Sequence, residues 1–238
     1  MKSKELSSNL HDAQLAALGV LLHVHTARFS KMATAAGLSS DHMNFHIHRL
    51  VELGLIEHAP KSYGEYRLTK IGKDIASKMG VTSNTIDAQP KISVILLVSD
   101  DKGLLLRQER LRHPYYGYWA RPSGKILPGE QLLDAAARIL RDETGLAADL
   151  RMAGIEHRIE HDEFGESIDD KYLFIVEGKS PIGNLIGETP GRKNHWISKQ
   201  DYDKKEKRFA HPLSKSTSII TAPVDFSEQT YVFRDAEY

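Results

Sequence analysis

The chain of 238 residues has no cysteine, which excludes disulfides and thiolate metal sites and fits a reducing cytoplasm. It has no long apolar run. The longest, near residues 15–22 and 92–98, fall well short of the roughly 20 residues a bilayer span needs, so no membrane association is expected. The opening residues, MKSKELSSNL, lack the apolar core of a secretory signal. There is no net charge either: 32 Lys plus Arg balance 32 Asp plus Glu, which removes any global pull toward nucleic acid or membrane and leaves only local patches to weigh. Internal repeats and low-complexity segments are absent. What remains is the composition of a soluble globular protein, 40% hydrophobic and 27% charged, long enough for one or two domains that each bury a core. Seven of the twelve histidines lie before residue 60. They form no pair of clusters with an acidic partner, so they read as surface and partly buried imidazoles rather than a metal site.

Along the first third, Leu15, Leu18, Leu22 and Val24, with Ala16, Ala17 and Leu21, predict a mostly buried helix over residues 12–26. A short helix fits residues 29–36, followed by a turn at Gly37. Ser39 or Ser40 is a good N-cap for a third helix that runs to Leu53. Its core stripe is Met43, Ile47, Leu50 and Val51, and Gly54 ends it. Residues 55–58 and 65–69 read as strands around a turn, and residues 70–79 as a closing helix. The stretch GVTSNTIDAQP is polar, aperiodic and ends in Pro90. The expected organisation is therefore a domain over 1–80, a linker over 81–90 and a second domain over 91–238.

This order of helices and hairpin is that of a winged helix-turn-helix. The wording HRLVELGLIEH followed by YRLTKIGKDI resembles the recognition-helix-and-wing segment of prokaryotic transcriptional regulators, over about residues 12–79. The resemblance implies that the third helix enters the major groove. Ser40, Asp41, Asn44, Phe45, His48 and Arg49 would face DNA, since Asn can read adenine and Arg can read guanine or hold phosphate. Lys61, Ser62, Tyr63 and Arg67 on the wing would touch backbone or minor groove. A homodimer on a two-fold site is the accompanying expectation. The alternative is a protein–protein module, because Asp41 and Glu52 dilute the basic charge.

In the second domain KISVILLV reads as a buried strand, residues 100–103 as a turn and 104–108 as the return strand. An aromatic loop then leads to Trp119 and to GKILPGEQLLDAAARILRDETGL, residues 124–146. Gly124, Glu130, Arg138, Leu140, Glu143, Gly145 and Leu146 stand at the spacings G-x5-E-x7-R-x-U-x2-E-x-G-U, with U aliphatic. The stretch resembles a Nudix box, and the resemblance extends over residues 91 to about 215. It implies an α/β/α sandwich around a mixed sheet, with a helix that presents carboxylates to Mg2+ on a nucleoside diphosphate. Glu130, Arg138 and Glu143 would be catalytic. Gly124, Asp142 and Glu143 would hold metal, with Glu188 from a downstream loop as a further ligand and Glu163 and Glu166 as other candidates. Arg138 would pair with Glu130.

Two positions depart from the pattern. Ile139 replaces the glutamate after the arginine, and Asp142 replaces the first glutamate of a pair. Residues 139, 142 and 143 share a helix face, so Ile139 removes an oxygen ligand or base there, and Asp142 reaches about 1.5 Å less. The opposite, core-facing stripe is expected to be Leu133, Ala136, Ala137 and Leu140. Further on, a strand is expected within 150–160, an acidic turn at 161–170, a strand at 171–177, a long Gly- and Pro-rich loop at 178–192, and a strand carrying Trp196 that leads into a last helix. Residues 217–233 read as one more strand.

Two functions follow. In the first, a DNA-binding regulator senses a nucleotide-type effector, such as ADP-ribose, through a Nudix-like domain that has lost catalytic carboxylates. In the second, the chain is a Mg2+-dependent pyrophosphohydrolase of nucleoside diphosphate derivatives with an accessory winged helix. A pure interaction adaptor ranks third.

Overall fold

The computed structural model describes residues 10–60, 62–80, 85–87, 89–161, 163–209 and 228. Backbone contacts divide the chain into two units, Met1–Gln89 and Pro90–Tyr238. No helix among the described residues is long and apolar enough to cross a membrane.

In the first unit, α1 (Asp12–Leu22) starts from a reciprocal cap. The His11 ring accepts from Ala13 N at 3.1 Å while His11 N donates to Gln14 Oε1 at 2.9 Å. The helix ends four residues before the expected 26. The chain is taken instead into β1 (Ala27–Arg28), which pairs with residues 65–66, and Thr26 Oγ1 donates to Glu65 Oε2 at 2.6 Å. Long-range pairing of this kind carries no local sequence signal. Next come α2 (Phe29–Ala36) and α3 (Ser40–Glu52), the latter N-capped by Ser39. Met43, Ile47 and Leu50 of α3 are buried, whereas Val51 is on the exposed side.

Strands β2 (Ile56–His58) and β3 (Glu65–Leu68) complete an antiparallel sheet of order β1-β3-β2. Helix α4 (Lys70–Ala76) closes the unit three residues short of the expected 79. Thr69 caps it, accepting from Gly72 N at 3.0 Å and donating to Gly54 O at 2.5 Å. Gly72 lies against backbone, since a Cβ there would come 1.9 Å from Leu55 O. Leu18, Met32, Met43, Ile47, Leu50, Leu55, Ile56 and Ile75 fill the core.

The second unit is an α/β fold with a mixed sheet. Strand β4 (Lys91–Val98) runs parallel to β9 (Ser167–Gly183) and antiparallel to β7 (Ser123–Lys125), and β8 (Leu146–His161) pairs with β9, giving the order β7-β4-β9-β8. A second four-stranded sheet has the order β10-β11-β5-β6, from β5 (Leu105–Arg110), β6 (Trp119–Ala120), β10 (Glu188–Thr189) and β11 (Arg192–Ile197). Helix α5 (Leu132–Thr144) lies on β4 and β8, and α6 (Lys199–Asp203) follows β11. The core combines Val94, Leu96, Val98, Leu106 and Val176 with the inner face of α5.

Two expectations fail here. The long loop at 178–192 is mostly strand: β9 continues to Gly183, β10 forms at 188–189, and β11 begins at Arg192. The acidic turn at 161–170 shrinks to the described residues 163–166, because Glu160↔Asp169 and Arg158↔Lys171 stand in register across β8 and β9. Asp169 is held by Lys91 at 2.6 Å and by Lys171 at 2.5 Å, so acids that read as a solvated turn are compensated within the sheet. The strand expected over 217–233 lies outside the described residues apart from Glu228, whose Oε1 accepts from Leu132 N at 2.8 Å at the start of α5.

Candidate functional site

The loop from β7 into α5 is fastened by one ion pair. Arg138 donates from Nε to Glu130 Oε1 at 2.6 Å and from Nη2 to Glu130 Oε2 at 2.8 Å, while Nη2 also reaches Lys125 O at 3.0 Å. Leu127 N donates to Glu130 Oε2 at 2.9 Å. The Arg138 hydrogen bonds, seconded by Leu127 N, bring Glu130 down to about 2, and Arg138 is raised in return. Both oxygens of Glu130 are engaged, which makes this carboxylate a staple of the loop.

The face of α5 is turned by one residue from the expected one. Leu132, Ala135, Ala136, Ile139 and Leu140 are buried, whereas Leu133 is 41% exposed and Ala137 is also exposed. Ile139, 2% exposed, is a core residue that lies over Gly124 of β7: a Cβ on Gly124 would meet Ile139 Cγ1 and Cδ1 at 2.9 Å. Glycine at 124 and isoleucine at 139 therefore form one packing contact, helix against strand.

Glu143 faces a cation. It is ion-paired with Arg192 of β11, and Gln108 Nε2 donates to its Oε2 at 3.3 Å. Its backbone carbonyl accepts from Asn194 Nδ2 at 2.7 Å, and the same amide group donates to Ile186 O at 2.7 Å while Asn194 Oδ1 accepts from Gln108 at 2.9 Å. Burial, then repulsion from Arg112 and Arg110, lowers Arg192 to about 10, which leaves it protonated at neutral pH. Asp142, its side chain 56% exposed, pairs with Arg141 at 3.4 Å.

This donor set does not fit Mg2+. The cation needs about six oxygens in octahedral array. Ile139 supplies none, Glu143 already serves Arg192, and no group of three His, Asp or Glu side chains able to hold a metal exists among the described residues.

Gly124, Arg138, Ile139, Asp142, Glu143 and Arg192, but not Glu130, line a cleft of about 590 Å3 between α5, β4, β7, the aromatic loop and the β8–β9 pair. Its lining residues include nine cationic side chains against four carboxylates. Glu160 and Asp169 are among the four, but Lys171 bonds Glu160 at 3.1 Å and Tyr115 Oη donates to it at 3.1 Å. Sequence reasoning missed Arg110, Arg112, Arg192, Glu160, Asp169, Lys91 and Lys171. Alternation along β8 and β9 was the signal for three of them, had the two strands been read as one long hairpin. Glu188, on β10, is exposed and does not line the cleft, and neither do Glu163 and Glu166.

In the first unit, Ser40, Asn44, Phe45, His48 and Arg49 all lie on the exposed face of α3, with Phe45 70% exposed. Arg49 pairs with Glu52 at 3.0 Å, and Arg67 with Glu57 at 2.6 Å. Tyr63 is exposed, and Lys61 lies outside the described residues.

Comparison with known proteins assigns the second unit. The model of the NUDIX domain family matches residues 89–216. An uncharacterized Nudix hydrolase of Bacillus subtilis (strain 168), YvcI, is 29% identical over 113 residues, covering 47% of this chain and 67% of that protein. An RNA pyrophosphohydrolase of Erythrobacter litoralis (strain HTCC2594) is 38% identical over 55 residues, 23% of this chain and only 34% of the relative. Among solved structures, the NUDIX domain of Shewanella oneidensis NrtR complexed with ADP ribose is similar at 18% identity and a TM-score of 0.43, over 52% of this chain and 83% of that one.

Proposed function

The chain belongs to the NUDIX domain family, and on that premise we propose that its second unit binds a nucleotide-type ligand, ADP-ribose or another nucleoside diphosphate derivative, without depending on turnover. The first unit is then a winged helix-turn-helix that reports the bound state to DNA, and the whole chain is a transcriptional regulator acting as a homodimer. The observation that carries this reading is the Glu143–Arg192 pair. Where a hydrolase gathers carboxylates around a cation, this cleft sets a guanidinium against the carboxylate, with Arg110 and Arg112 near enough to depress Arg192. Planar guanidinium forks suit the oxygens of a diphosphate.

Such a ligand regulates only if it binds the DNA-competent and DNA-incompetent arrangements with different affinity. Titration of the full chain with ADP-ribose, in Mg2+ and in EDTA, tests the binding. Dissociation constants within about threefold of each other are expected, because the recognising charge is the protein's own. Strict dependence on metal would sink the idea. Arg192→Gln should weaken binding by roughly tenfold or more, a lost charge-assisted contact.

A hydrolase reading retains one specific observation: Gly124, Glu130, Arg138 and Glu143 stand at the family spacings, and the relatives matched include an uncharacterized Nudix hydrolase and, over 34% of its length, an RNA pyrophosphohydrolase. In that case Asp142 and Glu143 would hold Mg2+ once Arg192 moved away. Release of phosphate or AMP from a nucleotide panel with Mg2+ or Mn2+, abolished by Glu143→Gln, would establish it.

A further inference from the structure

The second unit contains another cavity, of about 650 Å3, which shares Arg121, Tyr202 and Phe209 with the cleft and is otherwise lined by different residues. At its wall stands Arg107 of β5, only 4% exposed. Its Nη1 donates to Leu106 O at 2.8 Å, its Cζ lies 4.8 Å from the centre of the Tyr202 ring, and its Nε has no acceptor. Arg121 Nε is likewise buried without an acceptor. Neither guanidinium is paired with a carboxylate among the described residues. The two acids that line the cavity are already engaged, Glu177 by Arg151 at 2.6 Å and Asp203 by Lys199 at 2.5 Å. Glu156 acts on Arg121 only at a distance and is bonded to Arg158 at 2.8 Å.

Desolvation and the neighbouring Arg121, partly offset by Tyr202 and Asp203, lower Arg107 to about 10, so it is still charged at neutral pH. Lys179 and Arg208 add further positive charge to the wall. A buried cation that no carboxylate bonds directly, with Asp203 acting on it only at a distance, is a cost that folding alone does not recover. Departures of this kind concentrate at functional sites. The remaining wall is apolar, with Leu97, Val98, Leu105 and Phe209, and the volume is in the range of small-molecule sites.

We propose that this cavity is a second anion site, separate from the cleft, which takes the phosphoryl or carboxylate group of a small ligand onto Arg107 and Arg121 and lays its apolar or planar body against Leu97, Leu105 and Phe209. The proposal does not depend on what the cleft binds. Because Arg121 and Tyr202 belong to both walls, occupancy of one cavity acts on a side chain of the other.

Calorimetric titration of the full chain with phenyl phosphate and with benzoate, at fixed chloride concentration, tests the proposal and separates the two anion chemistries by which probe binds. Saturable binding of at least one is expected. It should persist in Arg192→Gln and weaken tenfold or more in Arg107→Met. The Met variant should melt no lower than the wild type without ligand, since it removes an unpaired charge while keeping the buried stem. If Arg107→Met fails to fold, Arg208→Gln, half-buried at the same wall, carries the test with a weakening of threefold or more. Binding of neither probe overturns the proposal. So does binding that is lost in Arg192→Gln and kept when the second cavity is altered, because the probe then occupies the cleft.

Discussion

At the scale of single residues, Ile139 decides most. It stands where the family pattern has a glutamate, yet it is buried against Gly124. Restoring the glutamate would place a carboxylate in the core. Ile139→Glu is expected to cost roughly 3 kcal/mol of stability by urea unfolding and to give no gain in pyrophosphohydrolase activity. A stable, active variant would show that a carboxylate at this position reaches the cleft, whose wall Ile139 already joins. Glu130 gives a pH signature. Its folded-state value, about 2, is below the ordinary 4.5, so its contribution to stability is complete above about pH 5 and is lost as pH falls toward 2. Thermal melts of the wild type and Glu130→Gln should therefore differ most at neutral pH and converge in acid. A difference that grows on acidification would contradict the Arg138 pair as its source.

At the scale of elements, what could be read in the sequence depended on how many phases a pattern allows. Helix α5 has apolar residues at 132, 133, 135, 136, 137, 139 and 140, which cover more than one face. Periodicity located the helix but left its rotation open by one residue. Ile139 is both buried against Gly124 and part of the cleft wall with Asp142 and Glu143, so the shared face of 139, 142 and 143 stands while the apolar stripe shifts to 132, 135, 136, 139 and 140. In α3, Met43, Ile47 and Leu50 admit one phase, and that face is the buried one. The β8–β9 pair was half legible: KYLFIVE announced a strand, but Gly178 and Pro181 suggested a loop because backbone pairing over many residues has no local mark. The Arg192–Glu143 contact belongs to the same class, joining β11 to α5 across residues far apart in sequence. Two element-scale predictions follow from backbone proximity. Gly72→Ala should destabilise the first unit by about 2–4 kcal/mol, since its Cβ would stand 1.9 Å from Leu55 O. Glu228→Ala should cost about 1 kcal/mol in the second, because Leu132 N at the start of α5 loses its acceptor. Chemical denaturation followed by near-ultraviolet circular dichroism measures both.

At the scale of the whole molecule, balanced charge hides an uneven distribution. The cleft is rich in arginine and lysine although the chain as a whole is neutral. Composition could not show this, since it sums over both units. Under the regulator reading, binding to random-sequence DNA should weaken steeply with salt, by about tenfold or more between 50 and 200 mM, as phosphate-bound counterions are released. A flat response would leave the first unit as a protein-interaction module. Binding of ADP-ribose should in turn alter affinity for a specific DNA site, and unchanged affinity at saturation would remove the sensor from the scheme.

Arg192 and Asn194 stand two residues apart on β11 and hold the same residue, one through the Glu143 carboxylate and the other through its carbonyl. The pair works as a clamp between strand and helix. Under the regulator reading, a diphosphate that draws Arg192 onto itself releases the Glu143 carboxylate, while Asn194 still bonds the Glu143 carbonyl and β11 stays paired with β5. Amide exchange at the end of α5, around residues 143–145, should then quicken on adding ligand, and an unchanged rate would show that the Glu143–Arg192 pair survives binding.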